Sequence, residues 1–237
     1  CLDELKSLVQ KSINENNDRK SFAAIILVGD LCNKGPYSAE VIRYVRSQKN
    51  WFSVRGNHDN AALAAALGDE KRRGQKKYEW LASLSDEDIE WLSELPYTIT
   101  IPKSMFGTTC TLENDIIVVH AGLIPGIPLE QQDVRTMITI RDVIESSSEG
   151  DPAKTYTFCK KAGDDEYGDG SRQAWAKAWS GPQQIIFGHD AKRGCQYEEF
   201  AIGLDSGACY GKKLTGIILP GRDIVSVEAE KVHCPIK

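Results

Sequence analysis

Residues 23–36 read AAIILVGDLCNKGP: six apolar residues, then Gly29-Asp30, then a polar stretch rich in turn formers. A short apolar run bounded by such residues has the pattern of a buried strand, and this one stops at a glycine and a carboxylate. Residues 51–54 (WFSV) repeat the arrangement and run into Arg55-Gly56-Asn57-His58-Asp59. Between the two, residues 38–48 place Val41, Ile42 and Val45 on one helical face. Upstream, Leu2, Leu5, Leu8, Val9 and Ile13 give residues 2–15 helical spacing. Helix, strand, helix, strand is the rhythm of βαβ units and points to the α/β class. In such sheets, sites form beyond the carboxyl ends of strands. Asp30 and Asn57-His58 both stand there.

The rest of the chain continues the alternation. Residues 61–67 read as a short helix and residues 69–77 as a charged run, a solvated loop or helix face. Ser85 and Asp88 have capping-box spacing before a helix that ends near Leu95, ahead of Pro96. Strands are expected at 98–101, 116–119 and 185–187, and three more β segments at 201–204, 214–219 and 224–227. The stretch 145–172 is polar and rich in Gly, Ser and Asp, as expected of an insertion or mobile loop. One domain over residues 1–237 is expected, since the chain has no internal repeat and no linker.

Composition narrows the function. With 237 residues, 41% of them hydrophobic, the chain can bury a sizeable core. A net charge of -5 argues against a broad nucleic-acid face, so an anionic substrate must be drawn by a few focused cations or by metal. No apolar run approaches the roughly 20 residues of a membrane span. Seven cysteines without a C-x-x-C pair read as reduced thiols, and hence as a cytoplasmic protein.

Three of the four histidines occupy segments that follow apolar runs: Gly56-Asn57-His58-Asp59, His120-Ala121-Gly122 and Gly188-His189-Asp190. Taken singly, an Asp after a strand is a turn residue and a His is a hydrogen-bonded core residue. Four polar segments at strand ends, Gly29-Asp30 included, argue for convergence on one site. Their donors are carboxylate, amide oxygen and imidazole without thiolate, a set suited to Mn, Zn, Fe or Mg.

The ordered set Gly29-Asp30, Gly56-Asn57-His58-Asp59, His120-Ala121-Gly122, Gly188-His189 resembles the calcineurin-like metallophosphoesterase superfamily. Gly29-Asp30-Leu31-Cys32-Asn33-Lys34-Gly35-Pro36 and Leu204-Asp205-Ser206-Gly207-Ala208-Cys209-Tyr210-Gly211 bring it nearer to the diadenosine tetraphosphatases and ApaH-like phosphatases. The resemblance implies a four-layer α-β-β-α fold, a central mixed β-sandwich flanked by helices. It implies two divalent ions, Mn first, with Fe, Zn, Mg and Co also compatible. Asp30 would bridge them, and Asn57, His120 and His189 would complete one site. His58 would be the general acid, Asp59 its orienting partner, and Arg55 a phosphate ligand. Asn33, Lys34, Arg141 and Tyr210 are further substrate-binding candidates, whereas Arg135 and Arg193 are expected in surface ion pairs.

The family's first segment, D-x-H-G, precedes the helix with which this chain starts, so the first strand and its two ligands are expected to be missing. Asn33-Lys34 replaces the Asp-Arg of protein phosphatases, and Asp59 their usual Glu. Both changes favour a dinucleoside polyphosphate or a related nucleotide anhydride, such as a capped RNA end. The alternatives are a protein Ser/Thr phosphatase, or a non-enzymatic scaffold if D-x-H is absent. No cysteine has an Arg six residues on, the P-loop pattern fails after Gly207, and no G-x-S-x-G elbow occurs.

Overall fold

The computed structural model describes residues 1–16, 22–107, 113–146, 155–159 and 172–235. Its elements begin with α1 (Leu2–Glu15), β1 (Ile25–Leu27), α2 (Ser38–Ser47), β2 (Trp51–Ser53), α3 (Asn57–Ala66), α4 (Glu70–Arg73) and α5 (Asp86–Glu94). There follow β3 (Thr98–Ile101), β4 (Ile116–Val119), α6 (Val134–Thr139), β5 (Asp142–Ser146), β6 (Thr155–Cys159), β7 (Arg172–Ala174) and α7 (Trp175–Ala178). The last strands are β8 (Gln184–Phe187), β9 (Gln196–Tyr197), β10 (Ala201–Gly203), β11 (Lys213–Ile218) and β12 (Asp223–Glu228).

The largest sheet has the order β3-β4-β8-β10-β9. Its inner strands β4, β8 and β10 run parallel, and antiparallel β3 and β9 close its edges. Parallel β1 and β2 form a second sheet, and β11 and β12 an antiparallel hairpin. Side-chain alternation along the strands divides the core. Ile116, Val118, Ile186 and Ile202 on one face of the large sheet cluster with Val54, Ile26, Val28 and Ile217, so the sheets meet across an apolar interface. Ile117, Val119, Ile185 and Phe187 on the other face pack with Met137, Ile140 and Trp175. Beyond the β1–β2 sheet, α2, α3 and α5 share a further apolar cluster. The result is the expected mixed α/β architecture, with sheets facing one another between helical layers.

Local signals explain several boundaries. Ser85 Oγ accepts the Asp88 N–H at 3.3 Å and Asp88 returns the favour to the Ser85 N–H at 3.2 Å, the reciprocal cap that starts α5. Asp88 also receives Arg43 and Arg46, which ties α5 to α2. α1 lies on the β11–β12 hairpin, where Lys11 Nζ donates to the Ser226 carbonyl at 2.9 Å.

One boundary needs revision, and two other expectations gain detail. α3 begins at Asn57, not Ala61, because the Asp59 carboxylate accepts the N–H of Gly56, the N-cap residue. The charged run 69–77 is solvated as expected, and as a helix face: it holds α4, capped by the Asp69 side chain, and the start of a 3-10 helix. The stretch 145–172 was expected as an insertion or mobile loop; its described residues belong to β5, β6 and β7, paired antiparallel in the order β6-β5-β7. Residues 147–154 and 160–171 of it lie outside the described set. Among the described residues, no helix is long and apolar enough to cross a membrane.

Trp175 is the largest fully buried side chain. Its ring meets Phe187 edge-on at 4.8 Å and fills the space that a Cβ on Gly122 would occupy. Trp175→Ala should therefore lower unfolding free energy by about 3–5 kcal/mol, read from the denaturant midpoint. A loss below about 1 kcal/mol would show that the layer collapses to fill the gap.

Candidate metal centre

The polar segments after β1, β2, β4 and β8 meet at one end of the two sheets. The approach is close: a Cβ on Gly29 would come within 2.8 Å of both the Gly56 nitrogen and the His120 ring. Gly29 also has φ +87°, which glycine alone adopts freely. Asp30 and His189 hold φ of +57° and +69°, strained for residues with a side chain.

Asp30 is the hub. Its Oδ1 accepts the His58 N–H at 2.9 Å and lies 3.3 Å from His120 Nε2, while its Oδ2 lies 3.9 Å from His58 Nε2. Burial opposes the Asp30 charge, but the His120 and His58 imidazoles and the His58 N–H hold its carboxyl below the usual range. His120 Nδ1 sits 2.7 Å from the Val28 carbonyl, so that nitrogen carries a proton. His120 Nε2 faces the Asn57 Oδ1 at 3.1 Å as well as Asp30. Two oxygen acceptors thus converge on one ring nitrogen, an arrangement satisfied by a proton there or by a cation among the three.

His189 resolves the preference. Its Nε2 is buried and has no hydrogen-bond partner. Burial, followed by the nearby His120 and Arg141 charges, pushes its pKa down to about 2, so the ring stays neutral. A buried, neutral, unpartnered imidazole nitrogen is what a metal ligand presents. Ligand atoms of Asp30, His120 and His189 all lie within 4.8 Å of one another. The donor set and the orphaned nitrogen fit a divalent ion, and the structure brings together all four residues expected to hold it.

The expected substrate residues separate. Lys34 Nζ sits 5.3 Å from the centre of the Tyr210 ring. Burial lowers the lysine's pKa, but Tyr210 and Asp30 more than offset it, and the ammonium stays charged beside the cluster. Arg141 reaches the His189 carbonyl at 3.4 Å and Asp190 at 3.4 Å. Arg193 binds Asp190 and Asp142, in line with its expected ion pairing, and Arg135 is exposed. Asn33 spends its amide on structure, donating to the His58 carbonyl at 2.9 Å and accepting the Trp80 indole N–H at 3.1 Å. Arg55 is buried; its guanidinium donates to the Tyr97 hydroxyl and the Ser93 carbonyl and stacks on the Tyr97 ring.

Asp59 takes a place that the motif did not suggest. Its carboxylate accepts the N–H groups of Asp30 (2.8 Å), Leu31 (2.8 Å) and Gly56 (2.9 Å), and none of its hydrogen bonds goes to the His58 ring. Burial, then the Asp30 charge, raises its pKa to about 6. The Cys32 thiol, 3.4 Å away, is pushed well up by burial and by Asp59, which keeps it protonated and unreactive. Asp205 was missed as a single candidate. It follows β10, accepts the Gly207 N–H at 3.1 Å, and has its pKa raised by burial. Its signal was the same one, a carboxylate at a strand end.

Comparison with known proteins agrees with this geometry. The family model for calcineurin-like phosphoesterase matches residues 1–193. A symmetrical bis(5'-nucleosyl)-tetraphosphatase of Aromatoleum aromaticum is 28% identical, over 98% of this chain and 94% of its own length. The asymmetrical bis(5'-nucleosyl)-tetraphosphatase PrpE of Bacillus cereus strain Q1 is 26% identical, over 100% of this chain and 94% of its own. A crystal structure described as a candidate diadenosine tetraphosphatase superposes with a TM-score of 0.73 at 31% identity, over 95% of this chain and 89% of that one. A protein of Pyrococcus horikoshii OT3 shares the fold at a TM-score of 0.52 and 13% identity, over 96% of this chain and 83% of that one.

The Asp59 contacts predict a variant phenotype. Asp59→Asn keeps the volume but sets an amide N–H₂ among backbone donors, so at least one buried bond is lost. Stability should fall by about 1–3 kcal/mol, measured by chemical unfolding. Unchanged stability would mean that the side chain does not clamp the backbone.

Proposed function

The chain belongs to the calcineurin-like phosphoesterase family, and we propose that it is a metal-dependent pyrophosphohydrolase of dinucleoside polyphosphates such as diadenosine tetraphosphate. The observation that carries this reading is the cluster of Asp30, Asn57, His120 and His189, with its orphaned His189 nitrogen, beside the cationic Lys34. Asp30 would bridge two divalent ions, with Mn the first choice, and the other three residues would complete one of the two sites. When bound, such ions lower the pKa of a water and neutralise phosphoryl charge.

The protein's own groups do the rest. Lys34 supplies a focused positive charge in a chain of net charge -5. It would hold a phosphate oxygen, and the adjacent Tyr210 ring offers a flat apolar face toward the same substrate. Arg141 stands at the rim beside His189 and can take a second phosphate of the chain. His58 is partly exposed, with Nε2 3.9 Å from Asp30. Burial lowers its pKa, with Asp30 opposing, which makes its protonated form a stronger donor to a departing phosphate oxygen. Asn33 fixes the His58 backbone and Asp59 fixes the Asp30 backbone, so both act by positioning.

The named relatives support a nucleotide rather than a phosphoprotein, and they include both symmetrical and asymmetrical enzymes. None of their names speaks for capped RNA. The full chain, supplied with Mn²⁺, should hydrolyse diadenosine tetraphosphate in preference to a phosphoseryl peptide, and a chelator should abolish the activity. Efficient release of phosphate from the peptide, with the dinucleotide left intact, would overturn the substrate assignment. His58→Asn should slow turnover about 10²- to 10⁴-fold while metal content persists. Asp30→Asn should lose metal and activity together; unchanged occupancy by metal analysis would remove Asp30 from the ligand set.

A further inference from the structure

A second cluster of metal-ligating side chains lies away from the strand ends, where α1 meets the C-terminal tail. Cys1 caps α1, and Glu4 sits in its first turn. The Glu4 carboxylate is only 3% exposed and its Oε1 lies 2.7 Å from His233 Nε2, whose side chain is 6% exposed. The Cys1 sulfur joins them: one ligand atom from each of Cys1, Glu4 and His233 lies within 4.8 Å of the other two. A tetrahedral ion with ligands at roughly 2.0–2.3 Å needs donor atoms roughly 3.3–3.8 Å apart, a spacing the three side chains reach by small rotamer shifts that part Glu4 from His233 and draw in the thiol.

The surroundings hold these donors in place. The Cys209 carbonyl accepts the N–H groups of His233 (3.0 Å) and Cys234 (2.9 Å), which clasps the tail onto the turn that carries Tyr210. Tyr210 forms a bridge with Val232, and a Cβ on Gly211 would strike Val232. The backbone of Cys1 packs against Gly35, next to Lys34. A buried ion pair would account for Glu4 and His233 alone. It would not account for a thiol brought to the same point, with two more free thiols, Cys209 and Cys234, on the adjoining segments.

We propose that Cys1, Glu4 and His233 form a site for a thiophilic divalent ion, zinc being the natural choice, separate from the Asp30 centre. Sulfur, imidazole and carboxylate together select such an ion, whereas the Asp30 cluster offers only nitrogen and oxygen. The ion fastens the start of α1 to the tail, and through Gly35 and Tyr210 it braces the wall that carries Lys34. The proposal does not depend on the substrate of the other site.

The difference in donors gives the test. The purified full chain is stripped of metal and titrated with Co²⁺. A near-ultraviolet thiolate-to-cobalt charge-transfer band is expected, and the Asp30 cluster cannot produce one. Cys1→Ser should abolish the band and His233→Ala should weaken Co²⁺ binding at this site at least tenfold. Cys32→Ser, which alters the thiol nearest the Asp30 centre, should leave the band intact. Ligand-field bands from the nitrogen–oxygen site should persist in Cys1→Ser and show that the variant is folded. Absence of the charge-transfer band in the wild-type chain, or its survival in Cys1→Ser, overturns the site. A charge-transfer band without nitrogen–oxygen ligand-field bands would count against the Asp30 centre alone.

Discussion

The arrangement turns on one carboxylate. Asp59 stands in the first turn of α3 and accepts N–H groups from Gly56, Asp30 and Leu31. Those donors belong to two loops, and Asp30 lies 29 residues from the Asp59 that receives it. Backbone in this crossing has no sheet partner, and buried N–H groups without acceptors are costly. Asp59 satisfies three at once and so draws the end of β1 onto the start of α3. With that join made, Asp30 is turned toward His120, and the His58 N–H closes on the Asp30 carboxylate from the other side. The acidic residue that dominates the locality is thus one that faces backbone, while its neighbour faces the chemistry.

Much of this was legible in the sequence because it rested on local pattern. The apolar runs read at 23–28, 51–54, 116–119 and 185–187 hold the strands β1, β2, β4 and β8, and the polar residues just after them form the cluster. The cap at Ser85 was readable for the same reason. What could not be read depends on partners distant in the chain. Asn57-His58-Asp59 looks like a loop, since none of these residues favours a helix interior; the helix starts there because Asp59 is held across the fold. Arg55 looked free for phosphate because nothing nearby in sequence announces Tyr97 and Ser93 as its partners. The strands β5–β7 were hidden by their polar composition, which reflects a sheet with exposed positions. The fourth histidine, His233, meets its partner Glu4 across 229 residues of chain, a pairing no local pattern announces.

Charge follows a similar division of labour. The chain is acidic overall, yet the cations near the centre are few and placed: Lys34 beside Tyr210, and Arg141 beside His189. Arg193 and Arg172 are bound by Asp142, and Arg193 also by Asp190. This network braces the segment after β8 rather than presenting free charge. An anion approaching the protein therefore meets general repulsion and local attraction, which sharpens where it can settle.

The His120 ring has a wider consequence. Its Nδ1 is bound to the carbonyl of Val28, after β1 in the small sheet, while its own backbone leaves β4 of the large sheet. The ring is therefore a spacer between the two sheets at the point where ligands from both must meet. Apolar interfaces accept modest volume changes by repacking; metal–ligand distances tolerate only about 0.2 Å. Coordination of the divalent ions that the family implies would therefore set the gap between the sheets to a finer tolerance than packing does. The sizes of Val54, Ile116, Val118 and Ile186, which fill that gap, would in this sense be part of the gauge of such a centre.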